Sequence, residues 1–205
     1  LSEKQYDRCF DTPRVTLGSM SSQRWLDDPK TLLFTLSRYK QVARLLDGVE
    51  NVAEIGCGDG FAGRLVQQSV GWLDRYDCDD RFCAESGAVP WDITRGPLPG
   101  QSYDAIYMLD VFEHIADSHA VLRNVCASIR PDGRAIIGIP SLESQQYASE
   151  MSQLGHVSCM TGGDLKRMME EYFRCVLVLS MNDEVLHSGF FPMSHYLLSI
   201  GIGVR

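Results

Sequence analysis

No Cys-x-x-Cys pair occurs in this sequence, although it holds seven cysteines: Cys9, Cys57, Cys78, Cys83, Cys126, Cys159 and Cys175. Scattered and odd in number, they exclude a disulfide scaffold or zinc ribbon and read as reduced thiols of a cytoplasmic protein. Long hydrophobic runs are also lacking. The longest uncharged stretch, 185–204, is interrupted by His187, Pro192, His195 and three serines. It falls short of the roughly 18 continuous apolar residues a membrane helix needs and reads as a loop leading into a strand. The opening segment, LSEKQYDRCF, is polar and has no apolar core of the kind that marks a signal peptide. Basic residues are scarce: 19 against 27 acidic ones, for a net charge of -8. That balance disfavours a nucleic-acid binder, which usually carries a basic footprint. Repeats and low-complexity linkers are absent too. The 205 residues, at about 150 per domain, read as a single domain over 1–205.

What is present is an alternation of two periodicities. Residues 1–30 are polar and irregular, with Pro13, Gly18, Pro29 and a run of serines, and are expected to form an arm or lid around Trp25. Residues 31–46 place Leu32, Leu36, Tyr39, Val42, Ala43 and Leu46 on one helical stripe, stopped by Gly48. The run 51–55 ends in Gly56-Cys57-Gly58-Asp59-Gly60 and is followed by a helical FAGRLVQQ. Further strands are expected up to Asp77, near 88–93, at 103–109, 134–139, 174–181 and 195–204. Helices are expected at 80–86, 117–129 and 161–173, the last capped by Thr161. Pro131-Asp132-Gly133 reads as a turn. Strands alternating with helices imply a doubly wound α/β fold with a mostly parallel sheet, and ligands in such sheets sit at the carboxyl ends of the strands.

The sharpest motif is Glu54-Ile55-Gly56-Cys57-Gly58-Asp59-Gly60. Glycines permit a tight turn and bring backbone N–H groups close to a ligand at a helix N-terminus. A dinucleotide fingerprint can be traced through Gly58, Gly60 and Gly63. However, Glu54 stands two places before the first glycine, where its carboxylate would repel a pyrophosphate. It suits instead a cationic ligand carrying an amine or sulfonium.

These residues resemble the first motif of the class I S-adenosylmethionine-dependent methyltransferases, an acid followed by G-x-G-x-G at the end of strand one. The family's other landmarks follow in order. The resemblance implies that Asp77 binds the two ribose hydroxyls, with Cys78 at the adenine edge. It places Asp92 on the adenine amino group and Ile93 on the ring, within Trp91-Asp92-Ile93. Leu109-Asp110-Val111-Phe112-Glu113-His114-Ile115 resembles the D-V-L-E-H segment of the small-molecule branch, with the Leu109 backbone near the methionine end. Trp25 and Arg38 lie where the ubiquinone-biosynthesis type of O-methyltransferase has a tryptophan and an arginine. This implies that Arg38 grips the donor's carboxylate, or else that it is a solvated helix arginine. The cofactor-binding set implied is thus Arg38, Glu54, Gly56, Cys57, Gly58, Gly60, Asp77, Cys78, Asp92, Ile93 and Leu109. The family's fold implies a Rossmann-like sheet of seven strands in the order 3-2-1-4-5-7-6, the last antiparallel.

The acceptor side is less defined. Methyl transfer to oxygen calls for a base, most often histidine. His114 follows strand four and either takes that proton or orients a loop. His156 lies in the long crossover 141–160, which reads as a substrate wall beside Glu143 and Tyr147. His119 reads as an inert surface residue, while His187 and His195 flank the last turn and are weaker candidates. The tail segments SLESQQYAS, GHVSCMTGGDLKRMMEEYF and SMNDEVLHSGFFPMSHYL resemble uncharacterised methyltransferases of bacterial surface-glycan gene clusters. The expectation is an O-methyltransferase acting on a sugar, sugar nucleotide or similar small molecule, as a monomer or homodimer. N-methylation of a small amine and a non-catalytic S-adenosylmethionine-binding subunit remain open. Nucleic-acid methylation is disfavoured further, because no Asn/Asp-Pro-Pro-Tyr/Phe motif follows strand four. No metal is expected, since no trio of oxygen ligands follows strand four or five.

Overall fold

The computed structural model describes residues 3–100 and 102–205. The first two positions of the expected arm lie outside it. Among the described residues eight strands form one sheet in the order β3-β2-β1-β4-β5-β8-β6-β7. They are β1 (Asn51–Ile55), β2 (Trp72–Asp77), β3 (Val89–Pro90), β4 (Tyr103–Leu109), β5 (Ile129–Pro140), β6 (Phe173–Asn182), β7 (Val185–His187) and β8 (Tyr196–Val204). Strands β1 to β5 pair in parallel, and β8 runs antiparallel between β5 and β6. This is the expected order with one addition: the three-residue β7 pairs with the outer edge of β6 and makes eight strands where seven were expected. Pro131-Asp132-Gly133 falls within β5, looped out where Tyr103 pairs with Ile129 but Ala105 pairs with Arg134. The turn chemistry is therefore spent on a bulge rather than on ending the strand.

Both faces of the sheet are covered, as parallel strands require. On one side Val121, Leu122 and Val125 of α6 (Ser118–Ser128) and Leu165 and Met169 of α8 (Gly162–Glu170) pack on Ile55, Ile106, Ile137 and Phe173. On the other, Tyr39, Val42 and Ala43 of α3 (Pro29–Leu45) and Val66 of α4 (Arg64–Gln67) pack on Val52, Tyr107, Ile136 and Leu198. Helix α3 begins where Pro29 pre-sets the first turn and the Asp28 carboxylate accepts from the Lys30 N–H. Thr161 caps α8 by accepting from the Asp164 N–H.

The N-terminal segment departs from the expected irregular arm. It forms α1 (Glu3–Asp11) and α2 (Ser19–Asp27). The first turn of α2 has no local side-chain cap and takes its acceptors from elsewhere in the chain. The Asp59 carboxylate accepts from the Ser21 N–H at 2.7 Å, and Glu85, on α5 (Asp80–Ser86), accepts from both the N–H and hydroxyl of Ser19 at 2.7 Å. The crossover 141–160 is likewise ordered, with a 3-10 turn over Glu143–Tyr147 and α7 (Glu150–Gly155). Among the described residues no helix is long and apolar enough to cross a membrane.

Candidate active site

Two adjoining cavities, of about 640 Å³ and 530 Å³, open along the carboxyl ends of β1, β2 and β4. They share Met20, Gly56, Gly58, Asp110 and His114 as walls and so form one cleft with two lobes. The first lobe is lined by Asp77, Cys78, Trp91, Asp92, Ile93 and Ile115. Asp77 is buried at the end of β2. One of its oxygens accepts from the Gly58 N–H at 2.9 Å and the other from the Asp79 N–H at 2.9 Å. Two backbone donors thus fix the carboxylate, and each oxygen keeps a lone pair to offer a ligand. Asp92 accepts from the backbone and hydroxyl of Thr94, which, with Arg95, hold its carboxyl below the usual range.

The glycine turn separates the lobes. Gly56 and Gly58 both have positive φ, +73° and +55°. A Cβ on Gly58 would stand 2.8 Å from the Met20 sulfur, and one on Gly56 would collide with Val111. Helix α2 thus lies directly over the turn, and only a bare backbone lets it approach.

The second lobe is lined by Arg38, Cys57, Leu109, Asp110, Glu113 and His114, with Met151, Ser152 and His156 from the crossover. Asp110 has φ +57°, an uncommon conformation that re-aims the chain as it leaves β4. Both its oxygens accept from Arg38 Nη1, at 2.7 and 2.6 Å, and the guanidinium lies 3.9 Å above the Tyr196 ring. Arg38 is therefore no solvated helix arginine.

Glu113 and His114 sit on a 3-10 turn, Phe112–His114, and the crossover is stitched to it. The Glu113 carbonyl accepts from the N–H groups of Val157 and Ser158, at 2.8 and 3.0 Å, and the Ser158 hydroxyl donates to the Phe112 and Ile115 carbonyls. These bonds bring His156 against His114, with ring centroids 5.0 Å apart. His114 Nδ1 donates to the Gly155 carbonyl at 2.8 Å. His156 Nδ1 donates to Gln145 Oε1 at 2.7 Å, and the Gln145 amide is oriented by donation from Nε2 to the Ser141 carbonyl. A carbonyl oxygen can only accept, so both rings donate from Nδ1, and a neutral ring then keeps a lone pair on Nε2. Burial, then the neighbouring His114, hold His156 below the usual histidine range. Burial and the Asp110 charge push the Glu113 carboxyl up to about 8, and its Oε2 is buried without a partner.

Several expected site residues lie elsewhere. Glu54 is buried behind the glycine turn rather than in its mouth. Its Oε1 accepts from the Tyr39 hydroxyl at 2.6 Å, Oε2 has no partner, and burial raises the carboxyl to about 7. Gly60 lines a separate apolar groove of about 800 Å³ behind α3 and α4, away from the cleft. Tyr147 is 80% exposed and outside the cleft wall, because the 3-10 turn points it to solvent. Glu143, on the same turn, also lies outside that wall. Trp25 is 55% exposed, and its neighbour Arg24 faces the cleft instead. His119 pairs with the Tyr172 hydroxyl. His187 and His195 are not among the residues of either lobe. Met20, Ser21, Arg24 and Glu113 also line the second lobe, and sequence reasoning does not point to them as site residues. The first three lack a helical signature, and Glu113 was hidden as part of a motif. One atom each from Glu113, His114 and His156 lies within 4.8 Å of the others, a grouping that could hold a metal ion. The expectation of no metal sought three oxygen ligands after one strand. This trio mixes nitrogen with oxygen and draws on two segments.

A sheet of this order, with a glycine turn and a buried acid at the ends of β1 and β2, is a doubly wound α/β domain with its cleft at the carboxyl ends of the strands. Residues 25–172 match the model of a methyltransferase domain, and the chain belongs to the class I S-adenosylmethionine-dependent methyltransferase family. The ubiquinone biosynthesis O-methyltransferase of Methylobacterium sp. (strain 4-46) is 32% identical over 94 residues, which cover 40% of this chain and 37% of that protein. Two solved structures share the fold. One is a S-adenosylmethionine-dependent methyltransferase of Thermotoga maritima, described as a possible histamine N-methyltransferase (16% identity, 90% of this chain and 99% of that one, TM-score 0.67). The other is the N-methyltransferase NodS of Bradyrhizobium japonicum (18% identity, 87% and 99%, TM-score 0.61). The family's methyl donor is S-adenosylmethionine.

Proposed function

We propose that the protein transfers a methyl group from S-adenosylmethionine to a hydroxyl of a small molecule, with a sugar or sugar nucleotide as acceptor. The observation that carries this reading is the continuity of the cleft: Gly58 and Asp77 lie in one lobe, and His114 and His156 meet in the next. The residues present fit the donor. Asp77 keeps lone pairs for two ribose hydroxyls, Trp91 and Ile93 give apolar walls for the adenine, and Arg38 stands at the methionine end. Arg38 is already held by Asp110, so the pair acts together on the donor's amino and carboxylate groups.

When bound, S-adenosylmethionine supplies a methyl group on a sulfonium, so that a C–O bond forms as the C–S bond breaks and the sulfur becomes neutral. The chain's own task is to hold the acceptor oxygen in line with that methyl and to receive its proton. The free Nε2 of His156 receives it, and His114 supports the ring from its edge. Helix α2 and residues 141–160 serve as lid and substrate wall around this single domain.

Full-length protein is to be incubated with S-adenosylmethionine and pooled nucleotide sugars and analysed by mass spectrometry. A product heavier by one CH₂ that depends on His156 is expected. Products confined to amines would replace the hydroxyl acceptor with N-methylation. Donor binding without turnover on either class would favour a non-catalytic subunit.

A further inference from the structure

We propose that Glu113, His114 and His156 form a binding site for one divalent transition-metal cation at the floor of the acceptor lobe. The site is built from both sides. Glu113 Oε1 lies 4.0 Å from His114 Nε2, and the ligating atoms of all three residues fall within 4.8 Å of one another. The Gly155 carbonyl and Gln145 Oε1 occupy the Nδ1–H groups, so each ring, when neutral, has its Nε2 lone pair for a cation. That is the outer arrangement that fixes a metal-ligating histidine and raises its basicity. The third member is a carboxylate only 1% exposed with one oxygen lacking any partner.

Two neutral imidazoles and an ionised Glu113 present three acceptors to one cation, whose binding displaces any proton the carboxyl holds. Arg38 lines the same lobe but is engaged by Asp110. Two imidazoles and one carboxylate suit zinc, manganese, iron(II) or cobalt(II) better than magnesium or calcium, which favour all-oxygen shells. Three protein ligands leave further positions on a cation for the acceptor. An acceptor hydroxyl in such a position becomes more acidic, and its proton leaves to water. With the cation bound, the Nε2 lone pairs are on it and the proton goes to water; His156 receives the proton only in the metal-free site. No electron changes hands, and the balance of the transfer is unchanged. This catalytic use rests on the methyl-transfer reading, whereas metal binding itself does not.

The test uses untagged, chelator-treated full chain titrated with cobalt(II), zinc and manganese by calorimetry, with cobalt absorption bands as a second readout. S-adenosylhomocysteine is titrated separately. A single equivalent of metal is expected, weakened about tenfold or more in His156→Ala and about tenfold in Gln145→Ala, which removes the support of the His156 ring and the amide's bond to the Ser141 carbonyl. S-adenosylhomocysteine affinity should be the same in both variants. His156 and Gln145 lie on the partly exposed crossover, so neither test depends on disturbing the core. Absence of stoichiometric binding, or binding equal in the wild type and His156→Ala, overturns the proposal. Failure of S-adenosylhomocysteine to bind would instead overturn the donor reading and leave the metal result standing.

Discussion

Glu54 is a residue outside the cleft whose environment couples folding to pH. It stands opposite Tyr107 across β1 and β4, and Tyr39 of α3 donates to it, so its carboxyl is enclosed by the sheet and a helix. Burial raises it from 4.5 to about 7, against the lowering by the Tyr39 hydrogen bond and by Arg75. The unfolded chain releases this proton at a lower pH than the native state, so the native state binds more protons between those values. Its contribution is fully present below about 4.5 and is lost as pH rises toward 7. Each unit is worth about 1.4 kcal/mol. Urea unfolding between pH 5 and 7 should show wild-type stability falling relative to Glu54→Gln. Parallel curves for the two proteins would mean that the carboxyl titrates normally.

Asp77 belongs to the same scale. Asp77→Ala removes the charged acceptor for two ribose hydroxyls, at about 1.5–3 kcal/mol each, so calorimetry should show S-adenosylhomocysteine binding weakened by at least about tenfold. Equal affinities would remove Asp77 from the site. An acid near a strand end is a weak signal alone; the family resemblance singled out Asp77, and the structure puts it in the wall of the first lobe. The sequence exposed the acceptor residues less well. His156 and Tyr147 share one polar crossover, and nothing in their spacing tells that hydrogen bonds to Glu113 turn one inward while the 3-10 turn leaves the other in solvent. Cys57 shows the reverse case: it lines the cleft, but burial pushes its thiol up to about 12 and leaves it inert.

At the scale of elements, α2 shows where local reading stops. SMSSQRWLD has no capping box, and the acceptors for its first turn come from residues 38 and 66 positions away. Helices with local caps, such as α3 behind Asp28 and α8 behind Thr161, lie close to where the sequence places them. β7 was missed for a related reason. Three residues carry no periodicity, and only the edge of β6 makes them a strand. Glu85→Ala should therefore loosen α2 alone. It removes two acceptor contacts and a carboxylate at a helix N-terminus, together worth about 1 kcal/mol. Hydrogen exchange of residues 19–27 should quicken, with β1, β4 and β5 unchanged. S-adenosylhomocysteine affinity should fall, because Met20 rests on Gly58. Faster exchange across the sheet would mean that Glu85 supports the whole fold rather than the lid.

At the scale of the whole molecule, the donor lobe gathers residues from the ends of β1, β2 and β4 and from α2, elements far apart in the chain but adjacent in one sheet. A ligand held this way binds the native state and has nothing to bind in the unfolded chain. Saturation at about 100 times the dissociation constant should therefore add about 2.7 kcal/mol of stability. For a chain of this size that corresponds to a rise in melting temperature of roughly 5–10 °C. Helices α1 and α2 precede the sheet, and α2 is fastened to it through Asp59 and Glu85, so the proposal of one domain over 1–205 requires a single transition that moves as a unit. Differential scanning calorimetry with and without S-adenosylhomocysteine should show this, and Asp77→Ala should shrink the shift in proportion to its loss of affinity. A ligand-insensitive early transition, absent from a chain shortened to begin at α3, would show that the N-terminal helices melt independently and would end the single-domain reading.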